Sequence, residues 1–148
     1  MGVELRAMAE SCKGISVAIV DDDHAILDAL KLLLELAGHS VATFDSAPAF
    51  LEARPAPLGC LIVDQNMPWM TGLELASRLR AEGYRIPILL VTGSPTPGIA
   101  ARAAELCIEQ VLEKPPPEDD LLHFIDEHQL NAGIACMNGA GSVAGGAA

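Results

Sequence analysis

Five short apolar segments, each followed by a stretch with helical spacing, constrain the fold of this chain more than any other feature. The segments predict strands at residues 16–20, 41–44, 60–63, 88–91 and 110–112. The stretches that follow predict helices at residues 24–37, 46–53, 71–82, 96–106 and from 118 onward. Because the strands are apolar throughout, both faces of their sheet must be covered. The sequence therefore predicts an α/β fold: a five-stranded parallel sheet, doubly wound, between two layers of helices.

The chain divides into one compact domain and two ends of different composition. Its 148 residues suit a single domain with a substantial core. Residues 15–130 carry the alternation, whereas residues 1–14 predict a flexible leader and the glycine- and alanine-rich residues 131–148 predict a flexible tail. No segment has the pattern of a signal peptide or a membrane-spanning run, which favours a cytoplasmic protein.

The balance of charged residues limits the partners that the chain can bind. Nine Lys and Arg stand against twenty Asp and Glu, which gives a formal net charge of −11. Such acidity argues against a nucleic-acid surface and against docking on anionic lipid, but it permits a cation site. The four cysteines form no C-x-x-C pair, so the sequence favours buried thiols over a zinc site or a disulfide framework: Cys12, Cys60, Cys107 and Cys136.

Four of the five predicted strands are followed by polar residues suited to phosphoryl chemistry. They are Asp21, Asp22 and Asp23 after the first strand, Asp64 after the third, Thr92 after the fourth and Lys114 after the fifth. The carboxyl ends of parallel strands meet at one edge of the sheet, where binding sites of such folds lie. Carboxylates about 4 Å apart repel by roughly 4 kcal/mol per pair at an effective dielectric constant near 20, so the cluster predicts a bound cation. Hard carboxylate oxygens favour Mg2+.

Each of these residues also has an ordinary structural explanation. A single aspartate after a strand commonly caps the next helix, Thr92-Gly93 suits a simple strand exit, and Lys114 before Pro115 suits a turn. Their joint occurrence at four strand ends favours a functional site over four unrelated turns.

Four segments around these residues resemble the receiver domains of two-component response regulators. They read VAIVDDD at 17–23, LIVDQNMP at 61–68, VTG at 91–93 and EKP at 113–115, and Gly72 falls where that family has a helix-opening glycine. The resemblance covers about residues 16–130. It implies a flavodoxin-like (βα)5 three-layer sandwich with strand order 2-1-3-4-5, and the glycine- and alanine-rich tail favours a stand-alone, single-domain receiver.

The same resemblance implies a role for each strand-end residue. Asp64 would be the phosphoacceptor, taking a phosphoryl group from a sensor histidine kinase or a histidine phosphotransfer protein. Thr92 would hydrogen-bond a phosphoryl oxygen, and Lys114, followed by a cis-proline bond, would pair with it. The implied Mg2+ ligands are Asp22, Asp64, Asp21 mostly through water, and the backbone carbonyl of Asn66. Such a receiver catalyses only its own phosphorylation and dephosphorylation, and its phosphorylation switches contacts with another protein.

Three positions depart from the family pattern. Val111 stands three residues before Lys114, where the family usually has Phe or Tyr; it packs in the fifth strand or leaves a receiver-like adaptor with altered switching. Residues 106–108 (Leu-Cys-Ile) replace a turn of small residues, either to fill the core or to extend a partner surface. Trp69, in the loop after the third strand, either docks a protein or lies over the first turn of the next helix.

A phosphatase of the haloacid dehalogenase type is a competing interpretation. Asp21-x-Asp23, Thr92 and Lys114 imitate the order of its motifs, with Asp21 as the nucleophile. However, Ala25 occupies the position of the usual threonine, and the acid after the third strand would have no role. A nucleotide-binding fold is disfavoured because the turn after the first strand lacks a glycine-rich phosphate loop.

Overall fold

The computed structural model describes residues 15–55 and 58–138, so the predicted leader and residues 139–148 of the predicted tail lie outside the described residues. Strands and helices alternate along the chain: β1 (Ser16–Val20), α1 (His24–Leu36), β2 (Ser40–Phe44), α2 (Ala47–Ala53), β3 (Cys60–Asp64), α3 (Gly72–Ala81), β4 (Ile88–Thr92), α4 (Pro97–Glu105), β5 (Gln110–Glu113) and α5 (Glu118–Asn138). The last helix continues past residue 130, where composition alone places the domain boundary. No helix among the described residues is both long and apolar enough to cross a membrane.

All five strands are parallel and lie in the order β2-β1-β3-β4-β5, which confirms the predicted fold class and strand order. The register aligns the strand ends, since Asp64 pairs with Val91 and Thr92 pairs with Glu113. The carboxyl ends of β1, β3, β4 and β5 therefore reach the same side of the sheet, termed the carboxyl edge. Binding sites of doubly wound folds form at this edge.

Alternate residues of β1 show how the sheet separates two apolar layers. Ala18 and Val20 belong to a buried cluster with α2, α3 and α4, whereas Val17 and Ile19 belong to a cluster with α1 and α5. Because helices cover both faces, β3 and β4 are buried at every position. The unbroken apolar runs of the sequence have this origin.

Side-chain caps fix where the helices begin. Ser46 caps α2, and Thr71 and Glu74 form the predicted capping box at the start of α3. Asp23 accepts hydrogen bonds from two backbone N–H groups in the first turn of α1. The ordinary structural explanation therefore holds for this one of the three adjacent aspartates.

The two described cysteine side chains differ in exposure. Cys60 is buried in β3, where burial, together with the charge of Glu109, raises the pKa of its thiol to about 12. Cys107 is exposed, contrary to the prediction of buried thiols. It lies just after α4, where the backbone leaves the helix through a left-handed residue with φ of 57° at the surface.

Candidate functional site

Three carboxylates converge at the carboxyl edge. Asp21 and Asp22 follow β1, Asp64 ends β3, and one carboxylate oxygen of each lies within 4.8 Å of those of the other two. Asp21 and Asp64 are buried, with 4% and 2% of their surface exposed, while Asp22 is exposed. Buried carboxylates this close repel one another, so the arrangement requires nearby positive charge.

Lys114 supplies part of that charge. Its Nζ lies 3.0 Å from Asp64 Oδ1 and 3.5 Å from Asp21 Oδ2. A 2.9 Å hydrogen bond from its backbone N–H to the carbonyl of Thr92 positions the residue, and its peptide bond to Pro115 is cis, as the family resemblance implies. Partial burial alone would lower the pKa of Lys114, but the two carboxylates outweigh burial and raise the pKa above its usual value. The lysine is therefore protonated at neutral pH and bridges both buried acids.

The site carries more negative charge than positive charge, because three carboxylates face one ammonium. Burial raises the pKa of Asp21, and the carboxylates of Asp64 and Asp22 add to that rise. A 2.9 Å hydrogen bond from Asp23 N–H to Asp21 Oδ1 and the charge of Lys114 only partly oppose it. The Lys114 ammonium, 3.0 Å from buried Asp64 Oδ1, therefore faces three clustered carboxylates. The cluster thus has capacity for a second cation, and its oxygen donors fit Mg2+.

Thr92 lies fully buried at the end of β4, on the same edge. Its Oγ1 accepts a hydrogen bond from the backbone N–H of Ser94 at 3.2 Å, and its backbone carbonyl accepts the bond from Lys114 described above. A hydroxyl group can accept and donate at once, so Thr92 retains a proton to donate. The structure therefore links three predicted site residues, Thr92, Lys114 and Asp64, through direct contacts.

The loop between β3 and α3 is held against Asp64 by contacts that the sequence analysis missed. Gln65 Oε1 accepts a hydrogen bond from Leu73 N–H at 2.9 Å, and the Gln65 carbonyl accepts one from Gly72 N–H at 3.1 Å. Gly72 is required because a Cβ there would lie 2.7 Å from the backbone oxygen of Asp64. Asn66, the predicted carbonyl ligand, is exposed on this loop. A lone glutamine after a strand has no pattern by which sequence reasoning could find it.

The positions that depart from the family pattern have separate explanations. Val111 is half-buried in β5 and packs against the apolar cluster that contains Leu90. Leu106 and Ile108 are each only 8% exposed and fill the core, whereas Cys107 between them is exposed. Trp69 is 83% exposed, with φ of 72°, and therefore projects from the loop instead of lying over the first turn of α3.

Comparison with known proteins decides the family. The family model of the response regulator receiver domain matches residues 17–126. The chain belongs to this family. The transcriptional regulatory protein FixJ of Bradyrhizobium diazoefficiens is 40% identical to this receiver domain over 111 residues, which are 74% of this chain and 54% of FixJ. The response regulator protein TmoT of Ectopseudomonas mendocina is 39% identical, over 74% of this chain and 50% of TmoT.

Solved structures show the same architecture. Full-length FixJ from B. japonicum superposes with a TM-score of 0.73 at 37% identity, covering 83% of this chain and 61% of that one. The response regulator StyR gives a TM-score of 0.74 at 38% identity, covering 84% of this chain and 64% of that one. Receivers of this family take phosphoryl groups from histidine kinases in phosphorylation-based signalling.

The receiver chain spans about half the length of the curated relatives that it matches. Those relatives are longer regulators, so the stand-alone organisation stays a prediction. FixJ is a transcriptional regulator by name, and the comparisons therefore do not support the prediction that the protein has no nucleic-acid partner.

Proposed function

We propose that this receiver takes a phosphoryl group on Asp64 from a sensor histidine kinase or a histidine phosphotransfer protein. The observation that carries the proposal is the 3.0 Å ion pair between Lys114 and buried Asp64, inside a cluster of three carboxylates at the carboxyl edge. A carboxylate beside a fixed ammonium can accept the phosphoryl group where the charge of the product is already partly neutralised.

The transfer forms one bond and breaks another. A carboxylate oxygen of Asp64 attacks the phosphorus of the donor's phosphohistidine, the P–N bond breaks, and its electron pair stays on the imidazole, which takes a proton from solvent. Lys114 pairs with the transferred phosphoryl oxygens, and Thr92 donates its hydroxyl proton to one of them. The residues that would hold Mg2+ are Asp21, Asp22, Asp64 and the backbone carbonyl of Asn66. When bound, the ion neutralises charge on the phosphoryl oxygens.

The geometry gives less support to the phosphatase interpretation. Asp23, the second acid of the Asp-x-Asp pair, is exposed and caps α1. Asp64, which that interpretation does not use, is buried within the acidic cluster and paired with Lys114. The buried residues of the edge therefore match a phosphoacceptor at the end of β3.

The output of this receiver is proposed to be a change in its contacts with another protein. Val111 has no ring to move between buried and exposed positions, so the alternative of an adaptor with altered switching rests on this residue. We also propose that the receiver works in the cytoplasm and that it catalyses only its own phosphorylation and dephosphorylation.

Labelling with acetyl phosphate tests the proposed function. With Mg2+, intact-mass spectrometry of the wild-type chain should show one added phosphoryl group, and chelation of Mg2+ should prevent it. Asp64→Asn should take no label while melting as a folded protein. Turnover of p-nitrophenyl phosphate that persists in Asp64→Asn but is lost in Asp21→Asn would instead establish the phosphatase.

A further inference from the structure

Gln65 joins three elements at the point where the chain leaves β3. Its backbone N–H donates to the carbonyl of Val91 in β4 at 2.8 Å. Two successive N–H groups at the start of α3, those of Gly72 and Leu73, donate to its backbone carbonyl at 3.1 Å and to its side-chain Oε1 at 2.9 Å. The intervening residues 66–71 therefore form a loop closed at one residue.

Only one of these three bonds depends on the glutamine side chain. The first N–H groups of a helix have no partner within the helix and need other acceptors. In α3, the capping box pairs Thr71 with the N–H of Glu74, and the Glu74 carboxylate with the N–H of Thr71. The N–H of Leu73 instead donates to Oε1 of Gln65, the residue that follows β3. The side chain therefore connects the two ends of the loop as well as capping the helix. The hydrogen bond from Leu73 N–H to Gln65 Oε1 is called the tie below.

Asn66 directly follows Gln65 in the chain, and its backbone carbonyl is a proposed Mg2+ ligand. A carbonyl has no side-chain torsions of its own, so its position depends on the backbone torsions of the loop. The tie restricts those torsions on the side next to Asn66. Groups that orient metal ligands without touching the metal commonly set its affinity.

We propose that Gln65 is a positioning residue that sets the metal affinity of this receiver by fixing the backbone carbonyl of Asn66. The inference rests on the proposed function, because it assumes the metal site at the carboxyl edge. The three carboxylates do not depend on the Gln65 side chain, so loss of its Oε1 should weaken metal binding without abolishing it.

Substitutions at Gln65 and at the neighbouring cap separate positioning from stability. Gln65→Met keeps the chain length but removes the acceptor, and Gln65→Ala is a second variant without it. Gln65→Glu keeps the acceptor. Thr71→Val is the matched control, because it removes a cap bond in the same helical turn and leaves the tie intact.

Binding of Mn2+ to the full chain, measured by the electron paramagnetic resonance signal of the free ion, is the readout. Gln65→Met and Gln65→Ala should bind Mn2+ about tenfold more weakly than the wild type, the scale seen when outer-shell groups of metal sites are removed. Thr71→Val should stay within about twofold, although its melting temperature falls as far as that of Gln65→Met. Gln65→Glu should bind as tightly as the wild type or more tightly, since it keeps the acceptor and adds negative charge.

Wild-type affinity in Gln65→Met, or an equal loss in Thr71→Val, would overturn the role of Gln65. Those outcomes are distinct from failure of the proposed function, in which the wild-type chain would neither bind Mn2+ nor take a label from acetyl phosphate. A wild-type chain that does both, beside an unchanged Gln65→Met, contradicts only the positioning inference.

Discussion

Lys114 and Arg80 both bring positive charge to oxygen atoms, but their surroundings differ. Lys114 lies between two buried carboxylates at the carboxyl edge, where the exposed carboxylate of Asp22 adds a third negative charge. Arg80, in α3, donates four hydrogen bonds of 2.8–3.0 Å to backbone carbonyls. The acceptors are Leu106, Tyr84, Ile86 and Cys107.

The difference distinguishes a binding site from a purely structural contact. Arg80 and its four backbone acceptors are called the clamp below. Four of the five N–H donors of the Arg80 guanidinium are used, two by carbonyls between α4 and β5 and two by carbonyls between α3 and β4. Arg80 therefore has little capacity to bind another ligand. The carboxyl edge keeps excess negative charge, since three carboxylates face one ammonium, and this charge suits the proposed cation. We therefore expect substitutions at Arg80 to change stability and substitutions at Lys114 to change phosphorylation, with little crossover.

Arg80→Ala should have the largest effect on stability. Four backbone carbonyls lose their donor, which should lower the free energy of unfolding by about 3 kcal/mol. Urea unfolding measures this loss, and the folded variant should still take a label on Asp64 within about twofold of the wild-type rate. Arg80→Lys should recover little, because one ammonium cannot reach four carbonyls arranged around a planar group. A loss below about 1 kcal/mol would show that Arg80 is not a clamp.

Lys114→Met should have the complementary effect. Without the ammonium that pairs with Asp64, labelling by acetyl phosphate should slow by about a hundredfold, as expected when a fixed electrostatic group is removed from a reaction site. A time course of intact mass at fixed Mg2+ measures the labelling rate. The urea midpoint of Lys114→Met should fall less than that of Arg80→Ala. Equal losses of labelling rate in Arg80→Ala and Lys114→Met would contradict the assignment of separate roles to the two residues.

A smaller, pH-dependent effect belongs to the carboxyl edge alone. Burial and the neighbouring carboxylates raise the pKa of Asp21 in the folded protein, so proton uptake favours the folded state. In the metal-free protein, this contribution to stability should grow as the pH falls from neutral through the raised pKa, and it is lost as the pH rises through that pKa. Urea unfolding at several pH values should show the trend in Arg80→Ala but not in Asp21→Asn. The same slope in Asp21→Asn would assign the effect to another group.

The smallest effects are expected at two left-handed residues, one in each region. Trp69, near the carboxyl edge, has φ of 72°, and Cys107, near the clamp, has φ of 57°. Both side chains are exposed, and glycine relieves the backbone strain while adding flexibility to the unfolded chain, so the two terms nearly cancel. The free energies of unfolding of Trp69→Gly and Cys107→Gly should each lie within about 1 kcal/mol of the wild-type value, as measured by urea unfolding. A much larger loss in Trp69→Gly would show that the ring makes stabilising contacts.

Much of the fold, and the placement of the candidate site residues at one edge of the sheet, could be predicted because the responsible signals are local. The apolar runs of β3 and β4 are unbroken since helices cover both faces of the sheet, and each run ends at a polar residue, Asp64 or Thr92. The cap at Ser46 and the capping box at Thr71 have equally local patterns.

The remainder depends on contacts between distant residues or on geometry within a turn. Arg80 and Leu106 are 26 residues apart, and no pattern connects an arginine to a backbone carbonyl. Asp22 and Asp23 are adjacent and chemically identical, yet one joins the acidic cluster while the other caps α1, because the backbone after β1 turns between them. Glycine and alanine content does not by itself end a helix, and α5 continues to Asn138, past the residue at which the composition changes.

The site of phosphorylation tests the account most directly. An aspartyl phosphate is reduced by borohydride to homoserine, so peptide mapping after labelling with acetyl phosphate and Mg2+ identifies the modified residue. The account predicts homoserine at position 64, and none when Mg2+ is chelated. Homoserine at position 21, or a labelled chain with position 64 intact, would contradict the assignment of Asp64 as the phosphoacceptor.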